Sequence, residues 1–256
     1  MNRTGLLIAL GIAAVAGGVF GFFPDLDLRI AGLFHGYVDA GGNVFALRLY
    51  PSLMIARDLG LWVGTLIMIP VLGALAIKLL FPRRKLLVPG RAIIFLVATL
   101  ALGPGLLVNA VLKDHWGRSR PIDVKQFGGP EHFVAWWDPR GDCPSNCAFV
   151  SGDVSGAFWT VAPAVLVPPA WRALAVAAAL TLGTGMAAAR MMAGAHFASD
   201  VIFAGVFTFL IVWFVHGLIY RWPRTRLTDE AVERGIEAFA NARYRLVEKL
   251  FGRKRQ

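Results

Sequence analysis

Three short polar segments contain the side chains of this sequence that could act together on a phosphate ester. They combine basic residues, small residues and a histidine beside a carboxylate. The segments are KDHWGRSRP (113–121), VSGD (150–153) and RMMAGAHFASD (190–200). A group of cations beside a potential nucleophile is typical of a site that binds and cleaves a phosphate.

The cations in these segments are Lys113, Arg120 and Arg190. The planar guanidinium of arginine matches phosphate oxygens, and lysine adds a point charge. Cations near a bilayer are costly unless they meet an anion. Ser151 and Gly152 begin an apolar run that is expected to be helical, so their amide groups could receive phosphate oxygens, and glycine permits close approach. We therefore expect a phosphate cradle.

His196 and Asp200 are four residues apart, which places them on one face if the helix already runs there. A carboxylate bound to one imidazole nitrogen fixes the tautomer and leaves the other nitrogen free to attack. We therefore expect His196 to be the nucleophile. Taken alone, each segment also has a simpler interpretation. Basic residues at helix ends often reach lipid headgroups, and Asp200 could simply cap a helix.

The elements that position these segments are long apolar runs. The chain has 256 residues, 57% hydrophobic and 16% charged, and each run approaches the ~20 residues that cross a bilayer as a helix. The runs are Leu6–Phe23, Leu61–Phe81, Ala92–Leu112, Ser151–Pro168, Ala173–Met192 and Val201–Tyr220. Only helices satisfy the backbone in lipid over such lengths. The pattern predicts an all-α integral membrane protein with a bundle of six transmembrane helices.

The distribution of charge predicts the orientation. With the N-terminus inside, 16 of the 26 Lys and Arg residues lie inside, ten of them after Tyr220, Lys78 lies at the inner end of a helix, and nine lie outside. This follows the positive-inside rule, so the termini are expected in the cytoplasm. Helix counting then puts all three polar segments at the extracytoplasmic rim. The net charge of +10 is explained by topology and does not indicate a nucleic-acid partner.

The chain divides into a six-helix domain, residues 1–220, and a basic tail, residues 221–256. Within the tail, Thr228–Phe251 is predicted to form an amphipathic helix that lies on anionic lipid headgroups. A helix that binds a protein partner is the alternative.

Cys143 and Cys147 lie just before the second polar segment. In an oxidising compartment we expect them to form a disulfide that restrains the loop leading to Ser151. A metal site would need further ligands, and only His132 is near in sequence.

The order Lys-x6-Arg-Pro, Ser-Gly, Arg-x5-His-x3-Asp resembles the type 2 phosphatidic acid phosphatase superfamily. The motifs span residues 113–200. This group includes bacterial lipid phosphatases that act on phosphatidylglycerophosphate, undecaprenyl diphosphate and lipid A. The resemblance implies a metal-free enzyme without a cofactor, in which His196 forms a phosphohistidine and Asp200 orients it. It also implies that the phosphate is held by Lys113, Arg120, Ser151, Gly152 and Arg190.

One position departs from this family. The second motif is usually Pro-Ser-Gly-His, and its histidine protonates the leaving oxygen, but here Asp153 follows Ser151 and Gly152. Asp153 could donate a proton only if burial and a nearby phosphate dianion raised its pKa. The alternative is that Asp153 is structural or meets a cation on the substrate, with water or His115 as the donor. The lead-in NCAFVSG (146–152) resembles that of lipid A phosphatases.

The sequence therefore predicts a phosphomonoesterase that acts on a membrane lipid phosphate of the lipid A or a related type. Its site is expected on the periplasmic face of a bacterial inner membrane. Three alternatives remain open. The chain could transfer phosphate between lipids, or hydrolyse undecaprenyl diphosphate or phosphatidylglycerophosphate. It could also be a non-enzymatic lipid or anion transporter, although its charges gather at one rim and not along a path through the membrane.

Overall fold

The computed structural model describes residue 1, residues 3–38 and residues 42–251. The helices are α1 (Arg3–Phe22), α2 (Asp25–Gly32), α3 (Pro51–Leu80), α4 (Gly90–Leu100), α5 (Lys113–His115), α6 (Gly152–Trp159), α7 (Val161–Leu166), α8 (Pro169–Met192), α9 (Ala198–His216) and α10 (Asp229–Phe251). Short 3₁₀ turns occur at Ala46–Leu49, Pro121–Asp123 and Lys125–Phe127, and π-helical segments at Ala101–Leu112 and Gly217–Arg221. Strands β1 (Gly36–Val38) and β2 (Gly42–Val44) pair antiparallel.

Five helical stretches of the described residues are long and apolar enough to cross a membrane. They are Arg3–Phe22, Pro51–Leu80, Gly90–His115, Pro169–Met192 and Ala198–Arg221. Their composition confirms a helical membrane protein. The end of the predicted tail, residues 252–256, lies outside the described residues.

The predicted fourth run, Ser151–Pro168, is not one continuous helix. It consists of α6 and α7, which meet at Thr160. The Thr160 hydroxyl donates to the carbonyl of Ala157 at 2.6 Å, and Pro163 in α7 has no backbone N–H to donate. Despite the break, α6 lies at the centre of the bundle, where Trp159 is fully buried.

The outward faces of α1 and α3 are apolar, as lipid contact requires. Trp62 on α3, for example, is 58% exposed. Two hydrogen-bonded pairs of polar side chains lie inside the bundle, where an unpaired polar group is costly. The Trp159 indole N–H donates to the Thr99 hydroxyl at 2.9 Å, and the hydroxyls of Ser155 and Thr208 lie 2.7 Å apart. These pairs fix α6 against α4 and α9.

The third crossing changes from α-helix to π-helix along Ala101–Leu112. Pro104 lies in this segment and cannot donate a backbone hydrogen bond. The side-chain amide of Asn109 donates to the Pro104 carbonyl at 2.7 Å, which satisfies an oxygen of the irregular turn. π-Helical turns often lie near functional sites, and this one leads directly to Lys113.

The C-terminal helix α10 lies against the end of α3 and the start of α4, away from the polar segments. Lys78 of α3 is 2% exposed, and its Nζ lies 3.1 Å from Glu233 and 3.2 Å from Glu237. Asp229 accepts from the backbone N–H of Arg91 at 2.9 Å. Part of the polar face of α10 is therefore engaged by the chain itself.

Candidate active site

His196 lies in the short connection between α8 and α9. Gly194, just before it, has a φ of +64°, a conformation that glycine adopts without steric cost. A Cβ at this position would also lie 2.3 Å from the ring of Phe45. The carbonyl of Gly194 accepts from the Ile122 N–H at 3.0 Å, which ties this turn to the first polar segment. The tight turn thus aims His196 into the bundle.

The imidazole of His196 has one nitrogen free for chemistry. Its Nδ1 lies 2.8 Å from the carbonyl oxygen of Ala148. Because a carbonyl only accepts, Nδ1 carries the proton and Nε2 keeps its lone pair. Burial, followed by the charges of Arg190, Arg120 and Lys113, holds the pKa of His196 well below its usual 6.5. The ring is therefore a neutral base surrounded by the three cations predicted to hold phosphate.

Asp200 does not hold His196 as directly as the sequence predicts. Its Oδ2 is 4.0 Å from His196 Nδ1, too far for a hydrogen bond. The same oxygen accepts from the Phe197 N–H at 2.8 Å, at the start of α9. The nearer partner of the ring is the Ala148 carbonyl, and Asp200 instead fixes the start of α9 through the Phe197 N–H.

Behind Asp200 lies a buried ion network centred on Arg118. Arg118 is fully buried and its guanidinium pairs with Asp200. It also donates to Asp27 at 2.8 Å and to Ser199 at 2.8 Å, and its Nε donates to the Val134 carbonyl at 3.1 Å. The network thus joins α2, the first polar segment and α9 beneath the histidine.

Lys113 and Arg120 converge on one residue, Asn146. Lys113 Nζ donates to the Asn146 side-chain oxygen at 2.8 Å, and Arg120 donates to its backbone carbonyl at 2.7 Å. Asn146 has a φ of +51°, which few residues other than glycine and asparagine adopt readily. Its amide N–H donates to Asp114 at 3.2 Å. The two oxygens of Asn146 therefore hold the two cations at fixed positions. They are hydrogen-bond acceptors, as the oxygens of a phosphate are.

The segment that contains Asn146 runs alongside the first polar segment. The Cys147 N–H donates to the Lys113 carbonyl at 2.9 Å, and the Ala148 N–H donates to the Arg118 carbonyl at 2.8 Å. Cys143 and Cys147 are joined by a disulfide, with Cα atoms 5.7 Å apart. The bridge closes a short loop around Asn146, so it restrains the residue that Lys113 and Arg120 contact.

Removing this bridge should loosen the site more than the fold. The Cys143→Ser/Cys147→Ser double variant is expected to lower the free energy of unfolding by about 2 kcal/mol, which is the loop-closure entropy expected for so short a loop. Phosphate release should fall as well, because Asn146 becomes mobile. Both effects are measured by thermal melting and by activity, in the double variant and in wild-type protein whose disulfide has been reduced. A variant with wild-type activity would contradict the proposed restraint.

Ser151 and Gly152 begin α6, as the phosphate-cradle prediction requires. Ser151 is the N-cap residue, and its hydroxyl is 3.5 Å from the Val154 N–H. A Cβ on Gly152 would lie 2.7 Å from Asn109 Oδ1 and 3.5 Å from Lys113 Cε. Only glycine lets the start of α6 approach this closely to the end of the third crossing.

Gly152→Ala is therefore expected to reduce kcat/KM by roughly 10- to 100-fold, because the start of α6 must shift relative to Lys113. Gly156→Ala is the matched control, since an added Cβ there, one turn further along α6, meets nothing within 4 Å. Steady-state kinetics of both variants test this. Equal activity of the two variants would show that the close contact does not matter.

Asp153 and Arg190 lie beside a further cation, Arg57, which is not among the predicted site residues. Arg57 of α3 donates from Nε to Asp153 Oδ2 at 2.7 Å and from NH2 to Oδ1 at 3.4 Å. Arg190 Nε lies 3.2 Å from the same Oδ2. Two guanidinium groups stabilise the ionised carboxylate, whereas a general acid must carry a proton. These contacts do not favour the predicted role of Asp153 as a general acid, and that role stays a prediction.

Five residues that shape this site are missing from the predicted set. They are Arg57, Asn109, Arg118, Asn146 and Ala148. Arg118 and Asn146 lie within or beside the polar segments, so position in the sequence could have drawn attention to them. Arg57 and Asn109 lie in apolar helices, and Ala148 acts through its backbone. Among the described residues there is no group of three His, Cys, Asp or Glu suited to a metal ion.

Comparisons with known proteins relate this chain to one family. Residues 92–225 match the model of the PAP2 superfamily, a range that includes all three polar segments. The chain is 36% identical over 228 residues to a lipid A 4′-phosphatase of Francisella tularensis subsp. novicida (strain U112), covering 86% of this chain and 98% of that protein.

A second relative, a lipid A 4′-phosphatase of Rhizobium leguminosarum, is 43% identical over 106 residues, which is 41% of this chain and 46% of that protein. No solved structure gives a significant match. The family match extends over more than half of the chain, and the first relative matches over nearly its whole length. On both grounds, this chain belongs to the PAP2 superfamily.

Proposed function

We propose that this membrane lipid phosphatase hydrolyses the 4′-phosphomonoester of lipid A. The observation that supports it most is the neutral His196, whose Nε2 is free and whose pKa is lowered first by burial and then by the charges of Arg190, Arg120 and Lys113. The lipid specificity rests on the relatives, which are lipid A 4′-phosphatases, one of them similar over most of this chain.

In the proposed reaction, the lone pair of His196 Nε2 attacks phosphorus. An N–P bond forms, the bond from phosphorus to the lipid oxygen breaks, and its electron pair stays on that oxygen, which takes up a proton. A water molecule then attacks the phosphohistidine, the N–P bond breaks, and inorganic phosphate leaves. The group that gave the proton recovers one from the water, so the site returns to its starting state.

The surrounding residues are proposed to stabilise the charge that develops in this reaction. Lys113, Arg120 and Arg190 would bind the three non-bridging oxygens, and the amide of Gly152 with Ser151 would complete the cradle. Asp200, 4.0 Å from Nδ1, would balance the positive charge of the phosphorylated ring.

The source of the proton for the leaving oxygen has two candidates. Asp153 would donate the proton if the phosphate dianion replaced it as the partner of Arg190 and thereby raised the pKa of the Asp153 carboxyl. Water or His115 would serve if Asp153 stayed ionised. The contacts of Asp153 with Arg57 and Arg190 support the second alternative.

A lipid phosphate panel in EDTA tests the function. Purified protein and a His196→Ala control are incubated with 4′-phosphorylated lipid A, phosphatidylglycerophosphate and undecaprenyl diphosphate, and the products are identified. We expect free phosphate, released fastest from lipid A. Faster release from another lipid would refute the specificity. A phosphorylated lipid acceptor would identify a phosphotransferase, and release of no phosphate at all would favour a transporter.

We also propose that the chain crosses a bacterial inner membrane six times, with both termini in the cytoplasm. The sixth crossing would be α6 with α7. Since α8 begins three residues after α7 and its far end returns to the polar segments, α6 and α7 would run antiparallel to α8. Together they rise about 22 Å over Gly152–Leu166, short of a ~30 Å hydrocarbon core, which would place the site slightly within the rim.

Single cysteines at Gln126 and Thr225 would test this topology. A membrane-impermeant maleimide added to cells with a permeable outer membrane should label Gln126→Cys, on the periplasmic side, and leave Thr225→Cys unlabelled. The reverse pattern would invert the proposed topology.

The free face of α10 is proposed to bind anionic headgroups, with the exposed Arg234 and Arg245 among its basic residues. Phe239 is 66% exposed beside them, as expected for a helix at an interface. Vesicle binding of a peptide would not represent this docked helix, so the test uses full-length protein. The phosphatase activity of wild-type and Arg234→Gln protein is measured in vesicles of different anionic lipid content. If neither activity depends on that content, the proposal is contradicted.

A further inference from the structure

We infer that Arg57 is a positioning residue of the phosphate site, which acts on Arg190 through Asp153. This inference rests on the proposed function. Arg57 lies on α3, a helix whose exposed side chains are mostly apolar apart from Arg57 and its neighbour Asp58. It is 96 residues from Asp153 in sequence, and no motif of the chain includes it.

The contact between Arg57 and Asp153 uses both carboxylate oxygens. Arg57 Nε donates to Oδ2 at 2.7 Å, and NH2 approaches Oδ1 at 3.4 Å. Two-point contact of this kind fixes the direction of both side chains. The Arg57 side chain is 29% exposed and that of Asp153 is 20% exposed, so the pair is partly shielded from water and more persistent than a surface pair.

Arg190 depends on this arrangement for its placement. Its side chain is 15% exposed, and its Nε is 3.2 Å from the oxygen that Arg57 also contacts. The Nε atom is buried and makes no well-aligned hydrogen bond within the described residues. Arg190 is therefore held by charge and not by a directed bond, which leaves its N–H groups available for phosphate oxygens.

The balance of charge explains why a carboxylate is needed there. Arg57, Arg190 and Lys113 all act on Asp153, and without its negative charge these cations would repel one another. When a phosphate dianion binds, it can replace Asp153 as the partner of Arg190, while Arg57 keeps the carboxylate. Asp153 and Arg57 together would thus keep Arg190 in place before substrate arrives and release it to the substrate afterwards.

This role and the general-acid role predict opposite effects of removing Arg57. If Asp153 is the acid, Arg57→Gln favours its protonated form, so phosphate release at neutral pH should rise. If Asp153 positions Arg190, the same change loosens the carboxylate, and kcat/KM should fall by roughly 10- to 100-fold. The sign of the change therefore decides between the two roles.

The experiment compares Arg57→Gln, Arg57→Lys, Asp153→Asn and the Arg57→Gln/Asp153→Asn double variant on an alkyl lipid phosphate and on an aryl phosphate with a good leaving group. We expect Arg57→Lys to recover part of the loss. The double variant should be no worse than Asp153→Asn, since both changes break one unit. Asp153→Asn should lose the same factor on both substrates, because positioning is independent of the leaving group.

Asp58→Asn is the matched control. Asp58 contacts the exposed side of Arg57 at 3.1 Å, so its loss should leave kcat/KM close to wild type. Thermal melting confirms that each variant is folded. A rise or no change with Arg57→Gln, additive losses in the double variant, or a smaller loss of Asp153→Asn on the aryl substrate would overturn the inference. Phosphate release by the wild-type protein, abolished by His196→Ala, tests the proposed function independently of these outcomes.

Discussion

His196→Ala is expected to lower the rate of lipid phosphate hydrolysis by roughly 10⁴-fold or more, the range seen when a catalytic nucleophile is removed. The physical reason is that Nε2 of His196 is the neutral, unpaired nitrogen beside the three cations. No nearby group can replace its lone pair. The cations would still bind substrate, so KM should change far less than kcat.

The measurement combines kinetics with trapping of the intermediate. Wild-type protein quenched during turnover of a radiolabelled lipid should carry an acid-labile, base-stable phosphoryl group, and His196→Ala should carry none. His132→Ala is the control, because His132 lies in an exposed part of the loop between α5 and α6, where it pairs with Asp142. A His196→Ala protein that retains activity, or a label that survives acid, would rule out the phosphohistidine route.

Arg118→Leu is expected to have the largest effect on stability. Arg118 is fully buried between Asp27 and Asp200. Its removal leaves two carboxylates buried without a cation, and breaking a buried ion network in this way typically costs about 3–5 kcal/mol. The turn that carries His196 should loosen too, because Asp200 also accepts from the Phe197 N–H.

Thermal and denaturant unfolding in detergent, followed by intrinsic fluorescence, measure this loss. Two comparisons make the result specific. Arg140→Ala, which removes an exposed pair with Asp138, should leave the melting temperature unchanged. Adding Asp27→Asn and Asp200→Asn to Arg118→Leu should recover stability, because the unpaired charges disappear, without restoring activity. An Arg118→Leu protein as stable as wild type would show that the network is not structural.

The predictability of the fold differed between its parts. The apolar runs identified the membrane helices because length and hydropathy are local properties that lipid enforces directly. The run Ser151–Pro168 shows the limit. Its hydropathy resembles one helix, but the chain breaks at Thr160 and the first half is buried among other helices. Hydropathy does not distinguish contact with lipid from contact with protein.

The sequence by itself predicted the chemistry: which side chains could bind phosphate, which histidine could attack, and that the polar segments would share one side of a membrane. Residue type and spacing suffice for this. Only the tertiary structure decided how the groups are held. The hydrogen-bond partner of His196 Nδ1 is the backbone carbonyl of Ala148. Backbone carbonyls have no sequence signature, so the sequence could not predict this partner.

The structure likewise pairs Asp153 with Arg57, 96 residues away, and buries Arg118 beneath Asp200. Such pairs follow from the packing of distant helices, which no local pattern encodes. They matter because the charge state of a carboxylate depends on its neighbours. The sequence could therefore place Asp153 in the site, but the neighbours that favour its ionised form become visible only when α3, α6 and α8 are packed together.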